Sequence, residues 1–390
     1  MIRIAFFGHN LNEPAVRKRA GAFMQAGCEV IGIMPHRGVA KSADFKWISL
    51  GETRDNDYAG RLRPLLKSFS LSRQAYPELG AVDLIYARNL DMLACAHAFA
   101  RRNRLKVPII YECLDIHTKL IGDGKVSRLL RRLEGALIKR SDMLVYSSPR
   151  FESAYFAQRH PGLYRGRLLE NRLLAEDAGP RPASAKQPHK PLRIGWVGNL
   201  RCRRSFDLLA MVGKTFGDRV DIRLHGYPAP AVFPNFEANV ASAERMTYLG
   251  SYNGAQDLPG IYEKLDVVWA ADWYEAGHNS VWLLPNRIYE GGYYATPALA
   301  PSGTETGAWI KRNQAGWCFD DPPEATVPEL VQHLLDHPEA ITRKSEALLA
   351  LPDSIYLETV ADTRAFVAEM LLKIFFNFLL LILSKAGITK

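Results

Sequence analysis

Two series of short apolar runs, each followed by a stretch with helical spacing, constrain the fold of this chain more than any other feature. The first series occupies residues 2–7, 30–34, 84–87, 108–112 and 143–147. The second occupies residues 192–197, 220–225, 246–249, 267–271, 297–300 and 316–319. Strands that alternate with helices pair in parallel and are covered on both faces. The sequence therefore predicts an α/β fold with two Rossmann-like, doubly wound parallel-sheet domains.

A proline-rich break separates the two series. Residues 175–191 contain four prolines and few side chains to bury, which is typical of a linker. A chain of 390 residues is also longer than one hydrophobic core usually supports. Ligands of such sheets bind at the carboxyl ends of the strands, so we expect a site in a cleft between two facing domains. The predicted divisions are a first domain over 1–174, a linker over 175–191, a second domain over 192–355 and a C-terminal segment over 356–390 that returns to the first domain.

The net charge limits the classes of partner that the chain is expected to bind. The formal net charge of +9 favours an anionic partner such as phospholipid or a phosphate-bearing substrate. Nucleic-acid binding is disfavoured, because the basic residues are dispersed and no known recognition pattern appears.

The five cysteines lack paired spacing, so neither a disulfide framework nor a zinc site is predicted. The opening residues 1–8 are too quickly polar for a signal peptide, and we expect a cytosolic protein.

The loop after the first strand of the second series carries a glycine and a group of arginines. Glycine at Gly198 permits close approach of a ligand to the backbone, and a helix start favours phosphate. The alternative is an ordinary loop with solvated arginines. The candidates for binding a phosphate-bearing ligand in this loop are Gly198, Asn199, Arg201, Arg203 and Arg204.

A second motif, Pro285-Asn286-Arg287-Ile288-Tyr289-Glu290, is followed by Ala295-Thr296-Pro297-Ala298. Proline is tolerated at a helix start, where free N–H groups face a ligand. This order of elements resembles the donor domain of family 4 glycosyltransferases of the GT-B type. The resemblance implies that Glu290 binds the ribose hydroxyls of a nucleoside diphosphate sugar, with a UDP-sugar favoured over a GDP-sugar. Without the resemblance, Glu290 could be an acidic residue that merely favours the start of a helix.

Two positions depart from the family pattern. Family members often have a further glutamate eight residues before Glu290, where this chain has Trp282, and a glycine where it has Thr296. The contacts of that glutamate must then fall to neighbouring groups. The candidates nearest in sequence are Glu275, His278, Asn279 and Ser280, which join Asn286 and Arg287 as proposed donor-binding residues.

The first half supplies the candidate acceptor site. Its first loop contains Gly8, His9, Asn10 and Arg17, and it lacks the three spaced glycines of a dinucleotide-binding fingerprint. NAD chemistry is therefore disfavoured.

Three titratable residues lie at the end of the apolar run 108–112 or just after it. Glu112, Asp115 and His117 stand at the carboxyl end of a predicted buried strand. In the resembling family this loop reaches toward the reacting sugar, so we predict that these residues position the acceptor and handle its proton. Since lone histidines are often structural, His117 could instead be a loop residue.

No metal is predicted. Asp55-Asn56-Asp57 matches an Asp-x-Asp motif, but it lies in a polar stretch and not after a buried strand. We expect arginines and helix N-termini to meet the diphosphate charge, with no cofactor besides the nucleotide sugar.

Two segments indicate contact with a membrane. Residues 127–140 combine an apolar and a cationic helical face, which suits an anionic membrane surface or, alternatively, an ordinary core-packed helix. Residues 370–383 are strongly apolar, yet a helix of that length spans about 21 Å, short of the roughly 30 Å hydrocarbon core. The sequence therefore predicts a protein that is peripheral on the inner face of the cell membrane.

Together these features predict a metal-independent glycosyltransferase that acts on a lipid-linked saccharide in polysaccharide assembly. Two alternatives remain: a GT-B epimerase of UDP-sugars that transfers nothing to an acceptor, and a catalytically silent membrane-associated protein. Trp282 in place of the expected glutamate favours the silent alternative.

Overall fold

The computed structural model describes residues 1–53, 62–72, 74–79 and 81–385. The chain divides into two compact units. The first comprises Met1–Ser147, Phe151–Leu169 and Thr359–Lys390, and the second comprises Ser148–Arg150 and Glu170–Glu358. The Asp55-Asn56-Asp57 motif lies outside the described residues.

A parallel sheet of seven strands forms the first unit, in the order β3-β2-β1-β4-β5-β6-β7. Its strands are β1 (Arg3–Phe7), β2 (Glu29–His36), β3 (Lys46–Glu52), β4 (Leu84–Arg88), β5 (Ile109–Cys113), β6 (Met143–Tyr146) and β7 (Gly166–Leu168). Strands β4 and β5 are buried along their whole length, as expected for a sheet covered on both faces. Helices over the first part of the chain are α1 (Pro14–Gln25), α2 (Leu62–Ser70), α3 (Leu90–Arg102), α4 (Thr118–Ile121), α5 (Lys125–Ile138), α6 (Pro149–Phe151) and α7 (Ala157–Arg159).

The sequence did not predict strand β3. Its burial alternates, with an exposed Lys46 and half-buried Trp47 and Ser49, because β3 is the edge strand of the sheet. An edge strand lacks the continuous apolar run by which the other strands were recognised.

The second unit contains a parallel sheet of six strands in the order β11-β10-β9-β12-β13-β14, and a small parallel pair of β15 and β8. The strands are β8 (Leu173–Leu174), β9 (Leu192–Leu200), β10 (Val220–Pro228), β11 (Met246–Tyr248), β12 (Val267–Trp269), β13 (Ala298–Pro301), β14 (Gly316–Phe319) and β15 (Leu357–Glu358). The helices are α8 (Arg203–Phe216), α9 (Phe236–Ala241), α10 (Gly254–Glu263), α11 (Asn279–Trp282), α12 (Asn286–Tyr293), α13 (Glu305–Asn313), α14 (Pro323–Asp336) and α15 (Glu339–Ala350).

The segment 175–191, for which the sequence predicted a linker, belongs to the second unit. Arg181 donates to the backbone oxygen of Leu348 at 2.7 Å, and the ammonium of Lys186 donates to the backbone oxygen of Tyr262 at 2.6 Å. The segment has few apolar side chains, but its polar groups find partners on this unit.

The C-terminal helix α16 (Val360–Lys385) is part of the first unit. Its residues Phe366, Val367 and Met370 are buried in the core of that unit, where the ring of Phe366 lies 6.3 Å from that of Tyr86. Among the described residues, no helix combines the length and the apolarity needed to cross a membrane.

Candidate active site

The carboxyl ends of β9 and β10 approach each other too closely for side chains. Gly198 and Gly226 adopt φ values of +112° and +133°, and a methyl group on Gly226 would overlap the carbonyl of Gly198. Only glycine fits this pair of positions without strain. A methyl group on Gly198 would meet no atom within 4 Å, so the space beside this backbone position is open.

Asp272 organises the loop after β12. Its carboxylate accepts hydrogen bonds from the backbone N–H of Tyr274 at 2.7 Å and from the hydroxyl of Ser280 at 3.3 Å. It also forms an ion pair with the guanidinium of Arg201 at 3.4 Å, although Asp272 is only 8% exposed. Arg201 in turn lies over the ring of Tyr274, 5.1 Å from its centroid. These contacts hold the side chain of Arg201 in place just after the carboxyl end of β9.

A second arginine lies in the same group, on helix α12. Arg287 is 7% exposed and donates to the backbone oxygen of Val197 at 3.0 Å, while its Nε has no hydrogen-bond partner among the described residues. Burial lowers the pKa of Arg287, and the carboxylate of Asp272 opposes that shift. A buried guanidinium with an unsatisfied N–H is suited to bind an anion.

Glu290 lies one turn after Arg287 on α12 and is half-buried. Its carboxylate accepts a hydrogen bond from the hydroxyl of Tyr262 at 2.9 Å. Burial and the negative charge of Glu290 hold the pKa of Tyr262 well above its usual range. Arg287 and Glu290 thus present a cation and an oriented carboxylate from one helix.

The residues near Trp282 join the network of Asp272. Asn279 donates to the carboxylate of Glu275, and the backbone N–H of Glu275 donates to the hydroxyl of Ser280 at 2.9 Å. The ring of His278 lies 6.3 Å from that of Trp282, which is half-buried. Of the candidates around the missing glutamate, Ser280 therefore contacts Asp272 directly, and Glu275 and Asn279 connect to it through Ser280.

Two of the predicted loop arginines point elsewhere. Arg203 is exposed and pairs with Asp207 on its own helix at 2.9 Å, and Arg204 is exposed and pairs with Glu324 at 3.0 Å. The guanidinium of Arg204 also lies over the ring of Trp273, 5.1 Å from its centroid. The structure does not bring them into the group formed by Arg201, Asp272 and Arg287.

The remaining donor-side candidates are two asparagines. Asn199 is exposed at the end of β9. Asn286 is exposed at the first position of α12, where its side-chain oxygen accepts a hydrogen bond from Asn171 at 2.7 Å.

In the first unit, the predicted acceptor residues shape the loop after β1. The side-chain oxygen of Asn10 accepts from the backbone N–H groups of Asn12 at 3.2 Å and Arg37 at 3.1 Å. Arg17 donates to the backbone oxygens of Leu11 and Ser42. Asn10 and Arg17 thus hold the loop in place.

Gly8 and His9, in the same loop, differ in burial. Gly8 is buried, and a methyl group there would lie 2.9 Å from Val16, whereas His9 is half-buried. This glycine is therefore required by packing.

Glu112 is not available as a catalytic group. It is 2% exposed and forms an ion pair with Arg88 at 2.5 Å, and Arg19 lies 4.0 Å away. Glu112 and Arg88 are direct neighbours in the pairing of β5 with β4. The carboxylate therefore neutralises the buried Arg88 of β4 and lies beside the buried Arg19 of α1.

Asp115 and His117 lie in the loop beyond β5. Asp115 is exposed and His117 is half-buried. The Nδ1 of His117 accepts from the backbone N–H of Lys119 at 3.1 Å at the start of α4. Because Nδ1 is an acceptor, the neutral ring carries its proton on Nε2 and presents a donor.

Three residues of this group, Asp272, Tyr252 and Tyr262, were not predicted from the sequence. Asp272 was recognisable as an early polar residue after a buried strand. The tyrosines follow β11 or lie on α10, and only the folded chain brings their rings to Glu290, whose charge contributes to raising the pKa of Tyr252.

The comparison with known sequences decides the family. No protein-family model matches the chain. The succinoglycan biosynthesis protein ExoL of Rhizobium meliloti (strain 1021) is 37% identical over 328 residues, which cover 81% of this chain and 80% of ExoL. The chain belongs to the ExoL family.

Solved structures establish the fold of this ExoL-family chain. Sucrose-phosphate synthase from Thermosynechococcus elongatus matches with a TM-score of 0.72 at 14% identity, covering 96% of this chain and 99% of that one. Anabaena Alr3699/HepE, solved in complex with UDP-glucose, matches with a TM-score of 0.69 at 15% identity, covering 96% and 100%. The predicted GT-B fold of glycosyltransferases is thereby confirmed.

Replacing Glu112 by Ala should destabilise the chain by about 3–5 kcal/mol, because it leaves buried guanidinium charge without its partner. Asp115→Ala is the matched control and should change the free energy of unfolding by less than about 0.5 kcal/mol, since Asp115 is exposed. Urea unfolding followed by circular dichroism measures both. Equal stability of the two variants would contradict the structural role of Glu112.

Proposed function

We propose that this ExoL-family chain transfers a sugar from a UDP-sugar to a hydroxyl of a lipid-linked saccharide during exopolysaccharide assembly. The name of ExoL places that relative in succinoglycan biosynthesis, and HepE was solved with UDP-glucose. The buried Arg287, with its unsatisfied Nε beside Glu290, is the observation that carries the proposal.

The donor would be held by groups of the second unit alone. Arg287 and Arg201 offer guanidinium groups to the diphosphate, and the open backbone at Gly198 leaves room beside them. Glu290, one turn along α12, accepts hydrogen bonds from the ribose hydroxyls. These assignments place phosphate and ribose groups against a cation and a carboxylate of one helix.

Charge stabilisation of the leaving UDP would supply most of the catalysis. As the glycosidic bond breaks, negative charge grows on the diphosphate, and fixed guanidinium groups stabilise it without reorganisation. Asp272 keeps Arg201 in place for this purpose. This mechanism requires no metal ion, since the arginines supply the positive charge.

Acceptor chemistry is assigned to the first unit. His117 presents its Nε2–H as a hydrogen-bond donor, and the exposed carboxylate of Asp115 is able to accept the proton of the attacking hydroxyl. Glu112 has no part in this step, because its charge is taken up by Arg88.

Arg287→Met should lower kcat/KM for the UDP-sugar by about a hundredfold, because it removes a guanidinium that stabilises the leaving diphosphate. Arg203→Met, which removes an exposed and ion-paired arginine, should stay within about twofold of the wild type. UDP release is measured with and without lipid-linked saccharide acceptor. Release of free sugar without acceptor would favour the epimerase, and no turnover of any UDP-sugar would favour the silent protein.

Helix α5 provides the surface for membrane contact. Val126, Leu129 and Leu133 form an exposed apolar stripe on this helix, with Leu129 66% exposed. The adjoining face carries the exposed basic residues Lys125, Arg128 and Arg132. An exposed apolar stripe beside a cationic one suits the interface of an anionic bilayer. We assign the chain on this basis to the inner face of the cell membrane.

Leu129→Gln combined with Leu133→Gln should weaken binding to vesicles that contain anionic phospholipid by more than about tenfold, since each buried leucine contributes about 1.5–3 kcal/mol. Val39→Gln is the control, because Val39 is an exposed apolar residue of the same unit outside α5. Vesicle flotation measures the bound fraction. Unchanged binding of the double variant, or equal binding to purely zwitterionic vesicles, would refute the assignment.

A further inference from the structure

The carboxylate of Glu290, proposed to bind the donor, also accepts a hydrogen bond from within the second unit. The hydroxyl of Tyr262 donates to Oε2 of Glu290 at 2.9 Å, and Tyr262 is completely buried on α10. A carboxylate offers two oxygens and about four acceptor positions, so the bond from Tyr262 constrains Oε2 without using up the acceptor capacity of the group. The direction in which Glu290 meets a pair of sugar hydroxyls therefore depends on Tyr262.

Tyr262 is itself held from several sides. Its backbone oxygen accepts from the ammonium of Lys186 at 2.6 Å and from the hydroxyl of Thr296 at 3.3 Å. Its ring stacks on that of Tyr294, with centroids 5.8 Å apart and planes 17° apart. Thr296 occupies the position where family members often have glycine, and its hydroxyl supplies one of these hydrogen bonds to Tyr262.

The direction of the hydrogen bond between Tyr262 and Glu290 is fixed. Burial and the charge of Glu290 keep the pKa of the Tyr262 phenol well above its usual range, so the phenol remains protonated. A protonated phenol beside a carboxylate donates to it. Tyr262 is thus a constant donor that constrains Oε2 of Glu290.

We infer that Tyr262 is a positioning residue, which orients Glu290 so that the site selects ribonucleotides over 2′-deoxyribonucleotides. The inference rests on the proposed donor site, because it takes Glu290 as the group that binds the ribose. Tyr262 does not touch the nucleotide. It acts by constraining Oε2, and it thereby sets how the carboxylate of Glu290 meets the two neighbouring ribose hydroxyls.

The test compares the dissociation constants of UDP and 2′-deoxy-UDP by isothermal titration calorimetry. Wild-type chain should bind UDP at least about tenfold more tightly than 2′-deoxy-UDP, since a hydrogen bond to a charged group is lost with the hydroxyl. Tyr262→Phe should reduce that preference to about threefold or less, with the affinity for 2′-deoxy-UDP within about twofold of the wild type. A purely structural defect would weaken both ligands and leave their ratio unchanged.

Tyr294→Phe is the matched control, because the ring of Tyr294 stacks on that of Tyr262. The hydroxyl that this variant removes accepts from the backbone N–H of Gly179, whereas the Tyr262 hydroxyl donates to Glu290. It should keep the full preference for UDP, whereas Glu290→Gln should lose it. If Tyr262→Phe keeps the wild-type preference, the inference is wrong while the donor site stands. If the wild type shows no UDP binding or no preference, the ribose role of Glu290 fails first.

Discussion

The ion pair between Asp272 and Arg201 is the interaction on which the arrangement of the second unit's site depends. Two guanidinium groups repel each other when they are brought together at a partly buried place, and a shared carboxylate offsets that repulsion. Asp272 pairs with Arg201 and also acts electrostatically on Arg287. Because Asp272 accepts hydrogen bonds from Tyr274 and Ser280, the loop after β12 fixes the carboxylate that offsets the repulsion between the two arginines.

Much of the fold was predictable from the sequence, because buried parallel strands leave continuous apolar runs. All of the predicted runs are strands, and both sheets are parallel. Edge strand β3 escaped prediction since one of its faces meets solvent. The prolines of 175–191 led to the prediction of a linker, and composition does not reveal that Arg181 and Lys186 find hydrogen-bond partners on the second unit.

The candidate site was only partly predictable, because the sequence does not say which strands become neighbours. Glu112 stood at the end of a predicted strand, and only the register between β4 and β5 shows that Arg88 faces it. Likewise, the sequence offered three arginines after β9, and the fold brings only Arg201 to Asp272. Motifs within one element, such as Arg287 and Glu290 on α12, were recognisable because helical spacing places them on one face.

We propose that Arg201, Arg287 and Glu290 form a site for a nucleoside diphosphate sugar, and a crystal structure of the ExoL-family chain soaked with UDP-glucose is the sharpest test. We expect density for the diphosphate within hydrogen-bond distance of both guanidinium groups and for the ribose hydroxyls on the carboxylate of Glu290. Density for the nucleotide elsewhere on the chain, with Arg287 still bonded to the Val197 oxygen, would show that these residues do not form the donor site.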